Sequence, residues 1–98
     1  MPKIYEYFGI VLQFHSNDHE PIHFHAKYGN SKVKVSFFIE DGIIFRTTYK
    51  EEFGKFPPAK LKELKKFVSI YKYNILDAWY NWFILRKKPV CVRIDKKV

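Results

Sequence analysis

Hydrophobic and polar positions alternate through the first half of this chain. From Tyr7 to Phe14, the residues Phe8, Ile10, Leu12 and Phe14 fall on one side, with Gly9, Val11 and Gln13 on the other. That period of two predicts a strand with one buried face. Continuing the parity places His15 beside Gln13. Ser16-Asn17-Asp18 is turn-forming, and Pro21 lacks the N–H that a central ladder needs, so the next strand is expected to start beyond it. From His23 to Tyr28, Phe24, Ala26 and Tyr28 face one way, and His23, His25 and Lys27 the other. After the Gly29-Asn30 turn, Lys32 to Glu40 alternates most cleanly, with Val33, Val35, Phe37 and Ile39 inward and Lys32, Lys34, Ser36 and Glu40 outward. Asp41-Gly42 signals a hairpin, and Ile43 to Tyr49 reads as a fourth strand. Lys50 to Lys55 reads as an irregular connection.

The period then changes. Pro57-Pro58 suits a helix start, where a missing N–H costs nothing. Beyond it, Leu61, Leu64, Val68, Tyr71, Ile75, Ala78, Trp82 and Leu85 recur every three or four residues, flanked by Phe67, Trp79 and Phe83. This predicts a helix over 57–88 lying on the sheet, with Arg86-Lys87-Lys88 complementing its dipole and Pro89 ending it. Val90 to Ile94 alternates enough for a short fifth strand, followed by a frayed end at 95–98. The expected fold class is α+β: an antiparallel β-meander of four strands packed by one long C-terminal helix. It forms a single domain over 1–98, with the meander at 7–49 and a tail at 89–98. The opposite helix side carries Ile70, Tyr73, Tyr80 and Ile84, a stripe that predicts a homodimer or protein-partner surface.

Composition sharpens this picture in two ways. Eighteen Lys and Arg against ten acidic residues give a formal charge of +8, which favours polyanions or an acidic partner. A hydrophobic content of 47% supports a packed core and argues against disorder. No apolar run approaches the roughly 18 residues that span a bilayer, and the first residues lack the pattern of a secretory signal. A cytoplasmic protein is therefore expected. Cys91 is the sole cysteine, which excludes an internal disulfide and a multi-cysteine zinc site.

The candidate chemistry lies in Asn17-Asp18-His19-Glu20-Pro21-Ile22-His23-Phe24-His25, which with His15 holds all four histidines of the chain. Three roles suit them. His19, His23 and His25 form a candidate metal set, since zinc accepts three nitrogens plus water. Alternatively, His23 and His25 act as metal-free acid and base on RNA, with His19 orienting them or serving as a third catalytic group. Lys27, Lys32 and Lys34 would then hold phosphate, and an outward Tyr28 would stack on a base. In the third role the histidines only fix the turn through backbone hydrogen bonds.

The order of motifs resembles a family known as domain of unknown function 4160. The resemblance rests on Met1-Pro2, Phe8-Gly9-Ile10, Asn17-Asp18-His19, Pro21, His23-Phe24-His25-Ala26, Tyr28-Gly29, Asp41-Gly42, Pro57-Pro58 and Trp79. It departs at Ile22, where a second proline is common, in a longer connection around Thr47 to Phe56, and in a tail from Lys87. The resemblance implies a small bacterial protein of a toxin–antitoxin-like gene pair, acting on RNA or neutralised by an acidic partner. It assigns no catalytic role to any histidine.

Overall fold

A computed structural model describes residues 3–14 and 22–98. The elements are β1 (Lys3–Tyr7), β2 (Ile10–Gln13), β3 (Ile22–Tyr28), β4 (Ser31–Glu40), β5 (Ile43–Phe53), α1 (Pro58–Phe83) and β6 (Val92–Ile94). The α+β class and the single C-terminal helix match the periodicity, but the sheet is larger than expected. It has six strands in the order β5-β4-β3-β2-β1-β6. Strands β1 to β5 form an antiparallel meander, whereas β6 pairs parallel to β1 and makes the sheet mixed.

The first expected strand is in fact two. Phe8 and Gly9 both have positive φ, 47° and 86°, and form a two-residue hairpin turn between Tyr7 and Ile10. Turns with both central residues in this region match the right-handed twist of the flanking strands. Phe8 is consequently 40% exposed instead of sharing the buried side with Ile10, Leu12 and Phe14. A bulge at the start of β1 lets both Ile4 and Tyr7 reach the core, although they are three residues apart.

The expected irregular connection at 50–55 is also mostly strand, because β5 continues to Phe53. Its turn into the helix is fixed by side-chain bonds. The Phe56 N–H donates to Glu51 Oε2 (2.8 Å), and the Ser31 hydroxyl donates to the Lys55 carbonyl (2.9 Å). Gly54 has φ +63°, and a Cβ there would lie 3.2 Å from the Asn30 carbonyl oxygen. Both the dihedral and the space therefore require glycine.

Helix α1 is 26 residues long, about 39 Å at 1.5 Å per residue. Five strand spacings amount to roughly 24 Å. The helix is thus long enough to carry the chain from β5 at one sheet edge to β6 at the other. It buries Leu64, Phe67, Val68 and Ile75 against one face of the sheet, whose core residues include Leu12, Phe14, Phe24, Ala26, Val33, Val35 and Phe37. Ring pairs join the layers: Phe67 of α1 stacks on Tyr7 of β1 at 4.7 Å and meets Tyr5 edge-on at 5.6 Å. Leu85, expected on the buried face, is 47% exposed because the helix ends at Phe83. Arg86 adopts φ +59° and the Lys87 N–H reaches the Asn81 carbonyl at 2.7 Å. A left-handed residue with a backbone bond back to the last turn closes the helix, so Arg86-Lys87-Lys88 lie past that turn.

The expected fraying at 95–98 is also not observed. The Val98 N–H donates to the Tyr7 hydroxyl (3.1 Å), and Lys97 lies 4.4 Å from the Phe8 ring centroid while pairing with Glu63. Among the described residues, no helix is long and apolar enough to cross a membrane.

Candidate functional site: the outer face of the sheet

The helix covers one face of the sheet, and the opposite face contains a broad concavity. It is a cleft of about 730 Å³ on β2 to β5, within the range of roughly 300–1,000 Å³ that holds ligands. His23, His25, Lys27, Lys32, Lys34 and Glu52 line it, together with Gln13 and the ring of Phe53. The strand period explains the grouping. His23, His25 and Lys27 alternate with the core residues Phe24 and Ala26 on β3, and Lys32 and Lys34 alternate with Val33 and Val35 on β4.

His25 occupies the floor of the cleft. It faces outward as its parity requires, yet it is 3% exposed, so it is not the solvent-open imidazole expected on a wet surface. In register it lies between Gln13 of β2 and Lys34 of β4. Its Nε2 lies 2.8 Å from Glu52 Oε1. An ionised carboxylate only accepts, so Nε2–H donates. The His23 ring stands nearly perpendicular to that of His25, with centroids 5.7 Å apart.

Glu52 reaches this position because of a bulge. Lys32 pairs with Phe53 and Val33 with Glu51, leaving Glu52 as the extra residue of β5. A bulge re-aims a side chain in this way. The Glu52 carboxylate spans β4 to meet His25 and remains 30% exposed. Nothing in the periodicity marks it. Lys50-Glu51-Glu52 reads as a solvated charge run, and the only hint is that Tyr49 and Phe53 continue a strand-like pattern around it.

The lysines are arranged at a cost. Lys27 is directly opposite Lys32 across β3 and β4, and Lys34 is directly opposite Lys50 across β4 and β5. Like charges facing each other across strands destabilise a sheet by about 0.2–1 kcal/mol per pair. Two such pairs flank the His25–Glu52 pair. Phe53, 65% exposed, adds a bare aromatic face at the rim.

Other expected site residues are placed elsewhere. Tyr28 turns inward, 6.1 Å from the Phe56 ring and 5.2 Å from Lys60 Nζ, so it offers no stacking surface in the cleft. His19 and His15 lie outside the described residues, as do Asp18 and Glu20. Among the described residues, no three His, Cys, Asp or Glu side chains gather to hold a metal ion. Burial, and then the nearby Glu6 carboxylate, push the Cys91 thiol up, away from the range of an activated nucleophile. Ile70, Tyr73 and Tyr80 on α1 and Ile84 just past its end are all exposed, and the Tyr73 hydroxyl accepts the Ile44 N–H at 3.1 Å.

No curated protein and no solved structure matches this chain. One family model does, over residues 9–80, which takes in β2 to β5 and most of α1 but leaves out β1 and β6. That match covers the strands that build the cleft and more than half of the sequence, and the chain belongs to the family described as domain of unknown function (DUF4160).

Proposed function

We propose that this protein binds single-stranded RNA across the outer face of its sheet. The observation that carries the reading is the double lysine pairing, Lys27 against Lys32 and Lys34 against Lys50, on the face that holds the cleft. Cross-strand repulsion is a cost to folding that an aligned polyanion removes, and a run of phosphates is the ligand that benefits most from closely spaced cations. Phe53 at the rim and the part-exposed His23 offer planar surfaces on which unpaired bases stack, a contact worth about 1–3 kcal/mol per base. A duplex hides those base faces, so the single strand is the better fit.

The test is a titration of a fluorescent single-stranded RNA, followed by anisotropy at several salt concentrations. The Lys27→Ala/Lys32→Ala/Lys34→Ala variant is expected to bind more weakly. Its log–log salt slope should be shallower by about 2, at roughly 0.7 per lost phosphate contact. An unchanged affinity and slope would refute the reading.

A further inference from the structure

From the bulged Glu52 and its neighbours we infer that the cleft cleaves the RNA it holds, with Glu52 as general base and His23 as general acid. This inference rests on the RNA-binding reading above. The histidine pattern alone nominates His23 and His25, but the geometry separates them. His25 is buried and its Nε2–H is donated to Glu52, so that nitrogen holds a carboxylate and does not meet substrate. The carboxylate is the partner open to the cleft, at 30% exposure. Glu52 and His23 both line the cleft beside the buried His25 ring, one bonded to its Nε2 and the other with its ring centroid 5.7 Å from that of His25. A carboxylate and an imidazole on either side of one phosphodiester, with lysines between them, is the set that in-line transesterification needs.

Glu52 takes the proton of the ribose 2′-hydroxyl, and the 2′-oxygen forms a bond to phosphorus. The phosphorus–O5′ bond breaks, and His23 in its imidazolium form gives its proton to O5′. The products are a 2′,3′-cyclic phosphate and a 5′-hydroxyl end. Exchange with water returns the proton from Glu52 and restores the one on His23. Lys32 and Lys34 face the non-bridging oxygens, where negative charge builds. His25 is a positioning residue: its N–H aims one carboxylate oxygen and leaves the other for substrate.

The test uses the full chain and a DNA oligonucleotide containing one ribonucleotide, with an all-DNA control. Cleavage is expected only at the ribonucleotide, leaving a cyclic phosphate end. Glu52→Gln and His23→Ala should each lower the rate by about 10²–10⁴-fold. Glu52→Gln should retain RNA affinity, His23→Ala should lose only the part that stacking supplies, and circular dichroism of each should report an intact fold. A uridine 3′-(p-nitrophenyl phosphate) substrate, whose leaving group needs no proton, should restore His23→Ala but not Glu52→Gln. Glu52 bonds His25 of β3 and shares the cleft with Lys27 of β3 and with Lys32 and Lys34 of β4. His25→Ala should lose rate that His25→Gln, which keeps an N–H donor toward Glu52, largely restores, a rescue that loosened packing alone would not produce. Wild-type protein that binds RNA without cutting it overturns the cleavage inference and leaves the binding reading standing. Protein that neither binds nor cuts overturns both, and cleavage retained in Glu52→Gln overturns the assignment of the base.

Discussion

The two faces of this sheet are made from the same strands, residue by residue, yet they answer to different demands. On the inner face Phe24, Ala26, Val33, Val35 and Phe37 are all at most 1% exposed and pack under α1. On the outer face, one residue along each time, stand His23, His25, Lys27, Lys32 and Lys34. There like charges oppose one another and a histidine is buried against a carboxylate. The inner face is arranged for burial. The outer face accepts repulsion that a fold optimised only for stability would remove, and that difference points to the ligand side.

The comparison can be broken in several places. Phe37→Ala, on the inner face, should cost about 3–5 kcal/mol, a large share of the roughly 5–15 kcal/mol holding a domain together. Urea denaturation would show it, and a loss below 1 kcal/mol would mean that this face is not the core. Gly54→Ala should follow at more than about 1 kcal/mol, since it strains a φ of +63° and crowds the Asn30 carbonyl. On the outer face the sign should reverse. Lys27→Glu turns a repulsive pair into an attractive one and is expected to stabilise by about 0.2–1 kcal/mol while weakening RNA binding. A variant that lost both stability and binding would erase the distinction between the faces.

A pH experiment sharpens the inner-face half. Burial pushes the Tyr49 hydroxyl up to about 12. The folded state thus holds that proton more tightly than the unfolded chain, where tyrosine titrates near 10. Its contribution is fully present below pH 10 and is lost as pH rises toward 12. Tyr49→Phe should flatten the fall in stability measured between pH 10 and 12. The smallest effect belongs to the tail: the Glu63 pair with Lys97 is exposed, so Lys97→Ala should change stability by less than about 1 kcal/mol.

What could be read from the sequence follows the same division. Strands β3 and β4 and the buried stripe of α1 were legible because burial on one side imposes a period, and the period is visible. The turn at Phe8-Gly9 was not, because Phe8 continues the alternation of Ile10 and Leu12 although its backbone turns left-handed. Strand β6 was visible as a short alternation, but its parallel pairing with β1 depends on where a long helix delivers the chain. The convergence of His23, His25, Lys27, Lys32 and Lys34 on one cleft follows from parity across adjacent strands. Glu52 was hidden because the charged run at 50–55 reads as an irregular connection, so no strand parity is extended to it, although β5 continues to Phe53. His25 was expected in water, since periodicity gives a side chain's direction but not what lies over it.

The most direct measurement of the central claim is a backbone amide NMR titration of the uniformly labelled protein with a short single-stranded RNA. The account predicts shifts concentrated at Lys27, Lys32, Lys34, Glu52 and Phe53, on the outer sides of β3 to β5, with α1 undisturbed. Shifts along Ile70, Tyr73, Tyr80 and Ile84, or none at saturating RNA, would contradict it.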